Sequence, residues 1–463
     1  MTNVNSLNSL NNVNNVNHWI RRECPRLEES YTETRLSCGL RILVCQKDRA
    51  TYHASVSVGY GSMDRFSRAS CEETRPLPMG TAHFLEHKMF GRDPDRFHGS
   101  DSYDDDFAAL GAESNAYTSH DRTVYYVSCT DRFPDVLTAL LSMVSELYVT
   151  PESVALERDI IAEEIRMNAD DPWERCAAGA RTALFGRHPV QEEICGSEAS
   201  IRRITPTVLR EAFDTFYRPE NMVLSVCGRV APEEIRLIAE RVMEKLPRGE
   251  VRAVPVANPR VKTSPVAFSP RTVTHRPVSK PLFSIGIKYP DPPAGSRALW
   301  RRDMTLSILC ETLFSHAGDF YSDLFESGAV SPGTSYGFLV GASPRLPDSF
   351  AYGYLDLSGE CDSPDEVMAA FLEFVGNARQ NGLSRADFER AKRVVYAEFV
   401  ATFDTTEDVA SLLGSYAADG LCAYDFFEVV DSITFDDVTE LFDKTFRDSQ
   451  YTLSVVLPAE TAE

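Results

Sequence analysis

The run Gly80-Thr81-Ala82-His83-Phe84-Leu85-Glu86-His87-Lys88-Met89-Phe90-Gly91 gathers the residue types that metal chemistry needs. Positions four apart share a helix face, so His83 and His87 can aim two imidazoles at one ion. Glu86 follows His83 by three residues and lies on nearly the same face, beside the ion without being a ligand. Phe84, Leu85 and Met89 point elsewhere and can bury the helix. The pattern is H-x-x-E-H, the reverse of H-E-x-x-H. Zinc suits it, because two imidazoles and one carboxylate leave a fourth position for water. A bound zinc lowers the pKa of that water, and Glu86 can take the proton. The bland alternative is a core helix that happens to carry two of the chain's nine histidines.

A third ligand must come from elsewhere. The helical pattern 151–168 carries Glu157 and Glu164, seven residues and about two turns apart on one face. Ile160, Ile161 and Ile165 lie on the apolar side, where an inward carboxylate is costly unless a cation pairs with it. Spacing alone leaves a solvated acidic face open, and leaves Glu163 as a competitor of Glu164.

These residues together resemble the insulinase/pitrilysin family of zinc peptidases, in its small bacterial branch similar to the mitochondrial processing peptidase. In that family the third ligand is a glutamate about 75–80 residues beyond the second histidine, completing a His2Glu site. Glu164 lies 77 residues after His87. The family also keeps a glutamate seven residues before that ligand, the place of Glu157, where it would orient a histidine. The stretch 110–119, Leu-Gly-Ala-Glu-Ser-Asn-Ala-Tyr-Thr-Ser, resembles the family's edge strand G-x-x-x-N-A-x-T, on which substrate adds as a β-strand. Asn115 and Ala116 carry over as substrate-binding positions. The resemblance runs from about residue 27 onward and implies a zinc endopeptidase with one Zn2+ per chain. Its substrates would be short or unfolded peptides, a precursor or leader peptide among them, enclosed between two halves of a clamshell.

The second half departs from the family. Active members carry an arginine and, seven residues on, a tyrosine that clamp the substrate. Here Phe325 and Pro332 stand at those places, and Tyr336 is out of register. His316 has no second histidine or glutamate at useful spacing. The chain therefore reads as the zinc-bearing subunit of a two-component peptidase, whose homologous partner supplies the Arg/Tyr pair and lacks H-x-x-E-H. The alternative is a non-catalytic, zinc-holding, peptide-binding scaffold. The intact Glu86 favours the enzyme, since a scaffold needs no general base.

The elements around these residues divide the chain. Residues 1–26 form an Asn-rich tail expected to be disordered, and its first 17 residues carry no charged side chain and no apolar block, so they read as neither a secretory signal nor an arginine-rich transit peptide. Residues 249–281 are dense in proline and read as a linker between a zinc-bearing domain, 27–248, and a domain without the motif, 282–463. Strand patterns at 40–46, 52–61, 112–118, 123–129 and 222–227 mix with helical ones at 81–90, 133–148, 203–217 and 232–245. The second segment repeats the mixture, with strands at 282–288, 349–357 and 452–456 and helices at 298–314, 319–326, 365–377, 385–403 and 436–446. This is an α+β organisation: two homologous domains, each a largely antiparallel sheet with helices packed on it. A formal net charge of −22 repels phosphate and argues against nucleic acid. No apolar stretch is long enough for a membrane helix. Eleven cysteines without a CxxC pair read as reduced thiols of a cytoplasmic protein.

Overall fold

The computed structural model describes residues 18–68, 74–93, 102–186, 188–243, 266–288, 295–331, 334–341 and 352–459. Most of the expected linker, and Pro332, lie outside the described residues.

Short β-rich runs build two sheets. The first holds β1 (Ile20–Cys24), β2 (Glu29–Arg35), β3 (Arg41–Gln46), β4 (Tyr52–Val58), β5 (Glu113–Thr118), β6 (Thr123–Cys129) and β7 (Met222–Gly228). Their order is β1-β2-β3-β7-β4-β6-β5, so β5 lies at an edge with one neighbour. The second holds β8 (Arg271–Arg276), β9 (Leu282–Lys288), β10 (Ser335–Gly341), β11 (Tyr352–Glu360) and β12 (Tyr451–Pro458), ordered β8-β12-β9-β11-β10. The pair β3/β7 is parallel and the steps to β4, β6 and β5 are antiparallel. In the second sheet β8/β12 is parallel and the steps to β9, β11 and β10 are antiparallel. Five strands thus recur in the same order and sense, as two homologous α+β units require.

One boundary moves. Ile20–Cys24, grouped with the tail from its sequence, is a strand paired antiparallel with β2. Its polar sequence, IRREC, hides it. Arg22 reaches across to Glu33 at 2.6 Å, and Cys24 is buried.

The helices that matter most for the site are α1 (Thr81–Met89), α2 (Pro151–Asp170), α3 (Pro172–Phe185) and α4 (Thr406–Ala418). Gly80 opens α1 at φ 83°, and a Cβ there would stand 2.4 Å from the Cys195 carbonyl oxygen. Both facts demand glycine. Thr150 and Ser153 close a capping box at the start of α2, with Pro151 at the first helical position. Asp171 then ends α2 and caps α3 by accepting the Trp173 N–H at 2.8 Å.

The last two helices are crossed between the halves. α3 follows the first-half helices but packs on β8, β9 and β12 of the second sheet, while α4 belongs to the second half and packs on β4 and β7 of the first. Each sits close through a glycine. A Cβ on Gly179 of α3 would meet Ser454 Oγ at 2.3 Å, and one on Gly414 of α4 would lie 3.2 Å from Ser225 Cβ. The ten described cysteines carry no disulfide, and most are buried. No helix among the described residues is long and apolar enough to cross a membrane.

Candidate metal centre

Burial of Phe84, Leu85 and Met89 fixes the roll of α1. That roll turns His83 and His87 toward α2, their ring centroids 4.6 Å apart. Ile161 and Val154 bury α2 in turn, presenting Glu157 and Glu164 to the histidines. Ile160, expected on the apolar side, is 57% exposed instead. One residue of helix is a turn of about 100°, which carries Ile160 off the face that Ile161 buries.

Nε2 of His83 lies 3.3 Å from Glu164 Oε1, and Nε2 of His87 lies 3.6 Å from Glu164 Oε2. Donors each about 2.0–2.1 Å from a tetrahedral ion stand roughly 3.3 Å apart, so these separations fit one shared cation. Among the described residues, His83, His87 and Glu164 form the His/Cys/Asp/Glu group close enough to hold a metal, their donor atoms all within 4.8 Å of one another. Glu163 turns to solvent and pairs with Arg166 at 2.5 Å. The geometry separates two neighbours that spacing leaves tied.

Glu157 sits behind the cluster. Its Oε1 lies 3.1 Å from Nδ1 of His87, and its Oε2 lies 3.3 Å from Lys88 Nζ. A carboxylate so placed can fix the orientation of the imidazole. Burial works against the Glu157 carboxylate, but His87 and Lys88 outweigh it and hold it below the usual range. Burial likewise opposes a charged His87, and the bond to Glu157 overrides it, raising the imidazole's pKa. The facing His83 imidazole holds the Glu164 carboxyl down, against its partial burial.

Glu86 is 8% exposed and accepts a hydrogen bond from Thr118 Oγ1 at 2.5 Å. Reasoning from sequence misses Thr118, although it is the threonine of the strand motif N-A-x-T. The alternation of β5 sends it to the α1 side of the sheet. Asn115 and Ala116 lie three and two residues upstream on the same edge strand, and Asn115 Oδ1 accepts the Ala116 N–H at 2.8 Å. Two openings flank the site. One of about 660 Å3 is bordered by His83, Glu86, Ala116, Thr118, Glu164 and Arg181. The other, about 480 Å3, is bordered by Glu86, His87, Asn115, Ala116 and Glu157. Glu86, His87 and Ala116 border both, so the two openings meet at the cluster beside β5.

Among the described residues, the second half adds no His, Cys, Asp or Glu to this group. Phe325 is 46% exposed on the helix Asp319–Glu326, its ring stacked on Tyr321. Tyr336 lies on β10, and His316 Nε2 is 3.0 Å from the Thr334 carbonyl oxygen.

Residues 50–198 match the model of the insulinase family, peptidase family M16, and residues 203–395 match the model of the M16 inactive domain. The zinc protease YmfH of Bacillus subtilis is 29% identical over 440 residues, covering 94% of this chain and 98% of that protein. A solved M16-like peptidase from Alicyclobacillus acidocaldarius is 30% identical, with a TM-score of 0.86 over 95% of this chain and 100% of that one. Pitrilysin shares the fold at 16% identity and a TM-score of 0.73, this chain spanning 46% of it. The chain belongs to the insulinase (M16) family of zinc peptidases.

Proposed function

We propose that this chain is a zinc-dependent endopeptidase acting on short or unfolded peptides, with His83, His87 and Glu164 as the metal ligands and Glu86 as general base. The observation that carries the reading is the convergence of three donors on one point with a buried, hydroxyl-held carboxylate beside them. Zinc bound there would supply an activated water and polarise the substrate carbonyl. Glu86 takes the water's proton on its carboxylate and returns it to the leaving amine nitrogen. Glu157 keeps the His87 ring turned with Nε2 toward the ion. The free edge of β5 pairs with the peptide backbone, whose carbonyl displaces Asn115 Oδ1 from the Ala116 N–H. Residues 27–248 carry this chemistry, and residues 282–463, with strand β8 joined to them, form the homologous unit without a zinc motif. Cysteines scattered singly and mostly buried support a cytoplasmic location.

The absence of an Arg/Tyr pair at Phe325 and Pro332 supports a catalytic subunit that works with a homologous partner bearing that pair. The span of 46% of pitrilysin is in keeping with half of a larger chamber. A zinc-holding scaffold is the second reading, and the buried Glu86 argues against it. The test is cleavage of unstructured peptides by the zinc-loaded chain, alone and co-expressed with homologues, with and without chelator. Peptide binding without cleavage in every combination would favour the scaffold.

A further inference from the structure

Thr118, which grips Glu86, is the last residue of β5, and the turn to β6 begins at the next residue. That turn is tightly braced. Ser119 N donates to the Arg122 carbonyl at 2.8 Å, and Ser119 Oγ donates to Asp121 Oδ1 at 2.9 Å. The Arg122 side chain, 13% exposed, faces two ways. Toward its own turn it donates from Nη2 to Asp121 Oδ2 at 2.8 Å. Toward the second half it donates from Nη2 to Asp419 Oδ1 at 2.7 Å and from Nη1 to the Ser415 carbonyl at 3.2 Å. Ser415 lies in the last turn of α4, and Asp419 is its C-cap. A helix C-terminus leaves carbonyls unpaired and favours cations, so the guanidinium fork suits this end. Arg41 of β3 grips the same end through the Ala417 carbonyl at 2.9 Å.

We infer that Arg122 is a positioning residue through which the zinc-less half sets the location of the general base. The inference rests on the reading of Glu86 given above. The path runs from the end of α4 through Arg122 to the turn, then to Thr118 and Glu86. The Thr118 hydroxyl is a contact that holds Glu86 in place, and a displacement of about 1 Å at a reacting group can cost on the order of 100-fold. The second half, whose described residues bring no donor to the metal cluster, thereby takes a part in the chemistry by holding the strand that holds the base.

The test uses the assembly that cleaves peptide, with Arg122→Met, Arg122→Lys, Asp419→Asn, Thr118→Val and Thr118→Ser. Arg122→Met and Thr118→Val are expected to lower kcat by roughly 10- to 100-fold, as for other residues that orient a reacting group, with KM and zinc content unchanged. Thr118→Ser restores the hydroxyl and the rate. Because both residues act along one path, the Arg122→Met/Thr118→Val double variant should be no slower than the worse single one. Independent of turnover, hydrogen exchange of the metal-free chain should show β5 amides opening roughly tenfold faster in Arg122→Met, with α1 amides unchanged. Arg122→Lys and Asp419→Asn, which disturb the fold less, should give the same pattern in weaker form. Multiplying losses in the double variant, a KM rise at constant kcat, or unaltered β5 exchange would overturn the inference. If every form, unmodified chain included, is inactive at full zinc occupancy, the peptidase reading fails, while the exchange experiment still decides whether Arg122 holds β5.

Discussion

Glu157 Oε1 stands 3.1 Å from Nδ1 of His87, on the opposite edge of the ring from Glu164. One imidazole is thus held between two carboxylates of the same helix, seven residues apart, with distinct roles for each. Replacing Glu157 with Gln should weaken zinc binding by about 10- to 100-fold, the usual cost of losing such a partner. Competition with a chromogenic chelator measures it, and an unchanged affinity would leave Glu157 serving Lys88 alone.

The purified chain should hold one zinc. Changing His83, His87 or Glu164 to Ala should abolish stoichiometric binding, read by elemental analysis after dialysis. Full occupancy in Glu164→Ala would remove it from the ligand set.

Glu86→Gln keeps the shape and loses the base. Zinc and peptide binding should persist while kcat falls by about 100- to 10,000-fold, the range general acid–base groups contribute. Wild-type turnover by this variant would take Glu86 out of the mechanism.

The isolated chain, zinc-loaded, should cleave unstructured peptides poorly at every concentration, and a homologue bearing Arg and Tyr should raise the rate. The reason is chemical: Phe325 offers no hydrogen-bond donor, and proline at 332 offers neither a hydroxyl nor an N–H. Self-association cannot mend that. Robust cleavage by the chain alone would defeat the prediction.

Acid should loosen the first sheet before it strips the rest. Glu33 is 6% exposed and pairs with Arg41 at 2.5 Å and Arg22 at 2.6 Å. Burial opposes its ionisation, and the two guanidinium groups outweigh that and hold its pKa below the usual value. A folded-state pKa below the unfolded one, near 4.3, gives stability that is complete above that value and lost as pH falls through the lowered one. Glu33→Gln should cost on the order of 2 kcal/mol at pH 7, less than for a fully buried pair because Arg22 is partly solvated. It should also flatten the pH dependence of urea unfolding below about pH 5. Parallel profiles for the two proteins would show that the pair contributes nothing to acid sensitivity.

The sequence reveals what is local. H-x-x-E-H lies within five residues of one helix, so its chemistry needs no tertiary knowledge to be noticed. The approach of Glu164 is tertiary, and spacing cannot rank it above Glu163 until the roll of α2 turns one inward and the other toward Arg166. The helices α3 and α4 escape a reading based on apolar periodicity for a physical reason. Their buried faces mix glycine and alanine with Leu184, Phe185, Val409 and Leu413, and Gly179 and Gly414 pack closely on Thr272, Ser454 and Ser225, so small residues dilute the apolar stripe. Arg122 looks like an ordinary turn residue, because its partners lie nearly 300 positions away at Ser415 and Asp419.

The crossing of α3 and α4 also bears on how such a chain can be cut, tagged or evolved. Each half keeps a piece of the other's core, so a fragment ending between the two units would leave one sheet without its covering helix and the other without its own. Two such fragments are expected to precipitate when made separately and to recover only when mixed. Neither unit can therefore be trimmed away without stripping a helix from the sheet of the other.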